Sequence, residues 1–419
     1  MRLSLVPSPR PSVPLDALPP LTIERLRQVA AAAGGRAWLV GGAVRDLLLG
    51  RTPLDIDVTV AGNAEHVARR LPAKVVARSQ FLTVVIRWPD GEEWDLVTAR
   101  RERYLFPGDL PEVTPGKITD DLLRRDFTIN AMAAALAPGA WGELLDPALG
   151  AQDLRLRQLR ILHPDSFRDD PTRLLRLARY MARLGFAPDR ATRWAAVLEP
   201  PVDGFAGVSG DRVRAELERS LGPREDGAAQ ISAIMEVRAL SGLWLPLLPS
   251  PDVVAATEDL LRELAPVELE VWLVRLAALP DIRDRAEALA GLGDQLSLGR
   301  RQRAVLQDLR ALLAARTAAR TPARLAALFD DHEPEALVAL AAQRPSMRSA
   351  VVRYLTEWRH VRPALDGHAV GELGCPPGPA VGRVLAALRA ARLDGKVVDP
   401  AQEEALARRL IAKEVHASR

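Results

Sequence analysis

The chain has 419 residues, 48% of them hydrophobic and 26% charged, the balance of a folded protein with a sizeable core rather than of a disordered chain. Lys and Arg total 57 against 54 Asp and Glu, a net charge of +3, and lysine occurs only at Lys74, Lys117, Lys396 and Lys413, so arginine supplies nearly all the positive charge. Cys375 is the one cysteine, which excludes an internal disulfide and a cysteine-based metal site and fits a reducing compartment; with no bilayer-spanning run and no signal peptide in the proline-dense start, the expected location is the cytoplasm.

After the proline-rich lead of residues 1–20, LTIERLRQVAAAAGG has helical spacing and stops at Gly34-Gly35. RAWLVGG, LDIDVTVAG, AKVVARSQ, LTVVIRW and EEWDLVTAR then read as strands of one sheet, interrupted by helices at about Ala43–Gly50 and Ala64–Leu71. Beyond about residue 120 the strand signals almost vanish and a Leu/Ala/Arg helical period continues to the C-terminus, with joints near 198–211 and at Arg362-Pro363.

LVGGAVRDLLLGRTPLDIDVTV, residues 39–60, holds the first chemistry. Alternation along a strand would place Asp55 and Asp57 on one face, with Ile56 and Val58 turned into a core. Two close carboxylates repel, and a divalent cation relieves that repulsion; hard oxygen ligands suit Mg²⁺, which takes substrate phosphates as further ligands. Taken alone, D-x-D also occurs on exposed strand faces. Upstream, Gly41-Gly42 between a strand and a helix let backbone N–H groups approach a phosphate, with Arg45 and Arg51 as nearby cations. Neither G-x-G-x-x-G nor G-x-x-x-x-G-K-[ST] is present, which argues against a Rossmann dinucleotide site or a Walker NTPase.

Strand, Gly-Gly, helix and a D-x-D strand together resemble the head of the polymerase-β-like nucleotidyltransferases. G-G-A-V-R-D with L-L-G-R-x-x-x-D-x-D is similar to the bacterial-type (class II) tRNA nucleotidyltransferase/poly(A) polymerase family, and RRDFTINAMA, residues 124–133, matches that family's next motif. The resemblance implies an α+β fold: a nucleotidyltransferase head with a small mixed sheet over residues 21–145, then an all-α neck (146–225), body (226–345) and tail (346–419).

It also implies site residues. Asp55, Asp57 and Asp95 would be the catalytic carboxylates, with Asp55 and Asp57 holding Mg²⁺. Gly41, Gly42, Arg45 and Asp46 would line the nucleotide site. Arg124 and Arg125 suit a triphosphate, and Asp126 and Asn130 can hydrogen-bond sugar hydroxyls, although a capping network around Asp126 fits the same residues. Asp169-Asp170-Pro171-Thr172-Arg173 resembles the family's E-D-x-x-R, in which side chains read the incoming base. Pro171 in a first helical turn would place Asp170 and Arg173 on one face, whereas D-D-x-x-R by itself is also an ordinary cap with an ion pair. Arg176 and Arg179 follow at helical spacing. Asp153 and Arg157 are expected to pair in the hinge between head and neck.

The implied activity is template-independent addition of nucleotides from NTPs to the 3′ end of tRNA. R-x-x-Y-x-x-P-G-x-L-P-x-V, from Arg101 to Val113, looks most like A-adding members, with CC addition and full CCA addition as alternatives, and a poly(A) polymerase or a non-catalytic RNA-binding protein more distant. The expected partners are the tRNA acceptor end and ATP, with CTP as the alternative nucleotide; no membrane is involved and no protein partner is deducible. No His-Asp dipeptide occurs, which tells against an appended phosphohydrolase.

Overall fold

A computed structural model describes residues 11–198, 205, 207–241, 250–279, 286–315 and 321–417. These fall into two compact units, one within Met1–Val208 and Ser232–Leu245, the other within Ser209–Ile231 and Pro246–Arg419.

The first unit opens with α1 (Pro20–Ala32), which carries proline in its first turn, where the missing N–H costs nothing. Then come β1 (Ala37–Val40), α2 (Gly42–Leu48), β2 (Asp57–Val60), α3 (Ala64–Ala68), β3 (Lys74–Arg78), β4 (Thr83–Arg87) and β5 (Glu93–Thr98). Next are β6 (Arg100–Arg103), β7 (Glu112–Pro115), α4 (Ile118–Leu123), β8 (Ala133–Ala135), β9 (Leu144–Leu145) and α5 (Gly150–Leu156). The unit continues with β10 (Gln158–Leu159), α6 (Ser166–Asp169), α7 (Thr172–Leu184), β11 (Ala187–Pro188) and α8 (Arg190–Leu198).

Seven strands form one mixed sheet in the order β3-β4-β5-β2-β1-β8-β9. Only β2 and β5 run parallel, with Asp57 opposite Asp95 and Val58 opposite Leu96. Behind them the even positions are closed to water: Val58, Val60, Leu96 and Ile86 are fully buried. On β1 and β8 a second cluster, Val40, Leu122, Ala131 and Ala133, packs α4 onto the sheet.

Two expectations need correction. The strand carrying D-x-D begins at Asp57, and Asp55 lies in a bend outside it, so alternation places only Asp57. Strands do not stop at 120: β8, β9, β10 and β11 follow, and β8 pairs with β1 inside the sheet. Its sequence, Ala-Ala-Ala, carries helix propensity, but its place between two strands, with Ala133 and Ala134 buried, overrides that weak prior. The segment 100–115 forms an antiparallel ribbon, β6 with β7.

Past residue 188 the described residues contain helices and no strands. Helix Pro334–Gln343 is almost wholly buried, and the tail helices close over Val370, Val384, Leu388 and Ala407. The joint expected near 198–211 lies largely outside the described residues, while Arg362-Pro363 falls in irregular chain before helix Gly367–Glu372. No helix among the described residues is long and apolar enough to cross a membrane.

Candidate active site

The turn after β1 is built for a close approach. Gly41 has φ +69° and ψ −127°, a conformation that side chains resist, and its N–H donates to the Met132 carbonyl on the β8 side at 3.1 Å. A Cβ at this position would also stand 2.5 Å from Nη1 of Arg125. The backbone conformation therefore requires glycine, and the Arg125 guanidinium occupies the space that a side chain there would take.

Asp57, the first residue of β2, faces its register partner Asp95 on β5, and parallel neighbours in register present their side chains to the same side. Asp55 is exposed in the preceding bend yet close enough to act electrostatically on both. Burial pushes the Asp57 carboxyl up to about 6; Arg125 opposes the shift, while Asp95 and Asp55 add to it. Asp95 is raised by burial and then by Asp55 and Glu93. Carboxylates that raise one another in this way are what a divalent cation would relieve. Among the described residues no three acidic, histidine or cysteine side chains gather tightly enough to enclose an ion unaided. That donor set fits a hard cation completed by water and phosphate oxygens better than it fits a closed protein cage.

Beside the carboxylates lies a residue that the sequence reading passed over. Asp121 on α4 is fully buried; its Oδ1 accepts from Nε and Nη2 of Arg124 at 3.0 and 2.7 Å, and its Oδ2 from Arg125 Nη2 at 3.1 Å and the Thr59 hydroxyl at 3.3 Å. Burial works against its charge, but Arg125 and Arg124 outweigh it and hold the carboxyl below its usual range. Arg124 also donates Nη1 to Glu102 on β6 at 2.7 Å. The signal was available: an acid three and four residues before two arginines.

A second network ties the glycine turn to α7. Arg45 and Asp46 are both buried; Arg45 Nε donates to Asp46 Oδ1 and its Nη1 to Asn130 Oδ1, each at 2.8 Å. Asn130 Nδ2 donates to Asp126 Oδ1 at 2.9 Å, and Arg176 on α7 pairs with Asp126 Oδ2 at 2.8 Å. Burial raises the Asp126 carboxyl, but Arg176, Asn130, Arg173 and the Phe127 N–H together take it below its ordinary value. The Tyr180 ring, with Arg45 at 5.3 Å and Arg179 at 4.9 Å from its centre, closes this cluster. Arg51 stands outside it, exposed.

At D-D-P-T-R the structure departs from the expected helical face. Helix α7 begins at Thr172, and Asp170 precedes it in extended conformation, with Oδ1 accepting from Thr172 N at 3.0 Å and Thr172 Oγ1 at 2.6 Å. Arg173 is buried, donating Nη1 to Ser166 Oγ at 2.7 Å and Nη2 to the Arg124 carbonyl at 3.1 Å. Asp170 and Arg173 thus flank the helix start rather than sharing one turn of it. Asp169 lies 3.8 Å from His163 Nε2, and its backbone carbonyl accepts from Gly108 at the tip of the β6–β7 ribbon at 3.3 Å.

Residues 37–160 match the model of the poly A polymerase head domain. An A-adding tRNA nucleotidyltransferase of Halalkalibacterium halodurans is 32% identical over 366 residues, 85% of this chain and 84% of that protein, and a CC-adding enzyme of Deinococcus radiodurans is 35% identical over 363 residues, 86% and 85%. The chain belongs to the tRNA nucleotidyltransferase family. An A-adding relative from Geobacter sulfurreducens is 33% identical over 406 residues, 89% of this chain, but the match spans only 45% of that longer protein. Among solved structures, a CCA-adding enzyme in apo form superposes with TM-score 0.76 at 27% identity, covering 97% of both chains. A Thermotoga maritima CCA-adding enzyme complexed with tRNA gives 0.71 at 26% identity, covering 96% of this chain and 98% of that one.

For a tRNA nucleotidyltransferase, whose family generally uses divalent metals, the Asp57 and Asp95 pair fits the donor chemistry described above. The hinge pair is different from the one expected. Asp153 on α5 accepts from Arg160 Nε and Nη2 at 3.1 and 3.2 Å and from the Thr128 hydroxyl at 2.6 Å. Arg157, in the left-handed conformation at the helix end, instead lies over the Phe186 ring at 5.9 Å. The backbone reversal at Arg157 turns its side chain away, and the arginine three residues further on takes the carboxylate.

Proposed function

We propose that the protein adds nucleotides from NTPs to the 3′ end of tRNA, releasing pyrophosphate, and that its principal product is the terminal A. The observation that carries the reading is the pair Asp57 and Asp95, in register on parallel strands and both raised in pKa, beside the Gly41 turn and Arg125. Mg²⁺ bound by Asp55 and Asp57, with Asp95 beside them, would lower the pKa of the terminal ribose hydroxyl and stabilise charge on the α-phosphate. Gly41 and Gly42 let the leaving phosphates approach the backbone, and Arg125 offers them a guanidinium. Arg45, Asp46, Asn130 and Asp126 are committed to one another, so their part in nucleotide binding is to hold the floor of the site, with Arg176 and Arg179 bracing it from α7.

Base choice is assigned to Asp170 and Arg173, supported by Asp169; for Arg173 to face a base edge its Nη2 must exchange the Arg124 carbonyl for the base. The preference for A rests on the ribbon segment from Arg101 to Val113, whose tip meets Asp169. The relatives do not discriminate, since A-adding and CC-adding proteins match about equally well. The helical neck, body and tail, divided near 146, 226 and 346, would hold the acceptor stem and elbow in the cytoplasm through phosphate and shape.

The deciding experiment incubates the protein with Mg²⁺, each labelled NTP, and tRNA ending before CCA, after C, or after CC. Extension of the CC-ended tRNA by ATP alone is expected; CTP addition to the shorter acceptors would replace A addition by CC or CCA addition. RNA binding with no extension on any acceptor would sink the enzyme reading.

A further inference from the structure

We propose that Asp121 is a positioning residue for the nucleotide's phosphates, acting through Arg125, whose guanidinium it holds over the Gly41 turn. This deepens the nucleotidyl-transfer reading and rests on it. Thr59 follows Asp57 by two positions on β2, so its hydroxyl is on the same face as the Asp57 carboxylate, and Asp121 Oδ2 accepts from it. The same oxygen accepts from Arg125 Nη2, which carries Nη1 into the space that any Cβ at residue 41 would fill. A carboxylate on α4, an arginine in the turn after it and a glycine in the turn after β1 thus share one small volume beside the carboxylates.

The two arginines of the RRDF motif are not equivalent. Arg124 spends Nε and Nη2 on Asp121 and Nη1 on Glu102, a fork closed on both sides. Arg125 spends Nη2 on Asp121, while its buried Nε has no hydrogen-bond partner among the described residues. Arg125 is therefore the arginine with donors left for an anion. Burying Asp121 fully is costly, and an apolar residue would fill the volume more cheaply. What the carboxylate adds is orientation: a guanidinium on a long, flexible stem is fixed before the ligand arrives, so less ordering entropy opposes phosphate binding.

The test uses the full chain and measures equilibrium binding of ATP and of tRNA separately, together with thermal melting. Asp121→Asn is expected to weaken ATP binding about tenfold and leave tRNA binding unchanged, as loss of an oriented charge-assisted contact predicts. Arg125→Gln should match it, and the double variant should be no weaker for ATP than Arg125→Gln alone. The same pattern should appear as a raised KM for ATP against an unchanged KM for tRNA. Unchanged ATP affinity in Asp121→Asn, equal loss of ATP and tRNA affinity, or losses that multiply in the double variant would each overturn the proposal. Should Asp121→Asn fail to fold, Arg125→Lys keeps the charge and loses the fork; it is expected to weaken ATP binding, and undiminished affinity there refutes the role. A wild-type protein that binds ATP but extends no tRNA would defeat the transfer reading while leaving this comparison decisive.

Discussion

Across β2 and β5, Asp57 and Asp95 face each other with their pKa values raised, whereas around the glycine turn Arg45, Asp46, Asn130 and Asp126 are joined in one hydrogen-bonded chain. Both regions are polar, and both are buried at least in part. In the first the burial of like charge is offset only in part, by Arg125; in the second the charges are paired or hydrogen-bonded within it. A folded chain retains an unrelieved repulsion only at a cost in stability, so the first region marks where an external charge belongs and the second marks what holds the backbone there.

The largest expected effect follows from removing one member of the repelling pair. Asp57→Ala should lower nucleotide addition by about a thousandfold or more, leave tRNA affinity intact, and leave melting unchanged or slightly raised. A parallel loss of addition and of tRNA binding would show instead that Asp57 is part of the scaffold.

The contrasting substitution belongs to the satisfied network. Asn130→Ala strands Arg45 Nη1 in a buried place and leaves Asp126 Oδ1 only the Phe127 N–H, so stability should fall by about 1–3 kcal/mol. Thermal denaturation reads this directly. Melting equal to wild type would erase the distinction between the two regions.

The repulsion also has a pH signature. An unfolded Asp57 loses its proton near the ordinary carboxyl value of 3.8 and the folded one at about 6, so folding favours the protonated form and stability falls as pH rises through that window. A cation that binds the ionised pair should reverse the loss. Addition of Mg²⁺ is expected to raise the melting temperature by a few degrees at pH 7.5 and hardly at all at pH 4.5, and the gain should vanish in Asp57→Asn. A Mg²⁺ effect independent of pH would place the ion elsewhere.

Much of the first region was legible in the sequence because it rests on local rules: alternation places Asp57, and a glycine pair after an apolar strand marks the turn. Asp55 was misplaced because Pro53 and Leu54 delay the strand, and only pairing with β1 and β5 sets where it starts. Strand β8 was hidden by its alanines, whose propensity speaks for helix while burial between strands decides otherwise. Asp121 carried only the spacing signal to Arg124 and Arg125; that its carboxylate also meets Thr59, sixty-two positions away in the chain, was not legible. The Asp153–Arg157 pair failed for a local reason, the left-handed turn at Arg157, which spacing alone does not announce.

The smallest effect on stability, and the sharpest for nucleotide choice, is expected at Asp170, which stands between the two kinds of region. Its Oδ1 caps the start of α7 through Thr172, a satisfied contact, while the proposed function gives the same carboxylate a base to read. Asparagine is as good a cap as aspartate, because the acceptor oxygen survives, but its amide puts donors where the carboxylate had only acceptors. Asp170→Asn should therefore melt within about 0.5 kcal/mol of wild type. Its preference for ATP over CTP should fall by about tenfold, the discrimination that one well-placed pair of hydrogen bonds supplies. Asp170→Ala loses both functions and should add about 1 kcal/mol of destabilisation. If Asp170→Asn keeps the wild-type preference, the side chain is a cap alone, and Arg173 must choose the base with another partner.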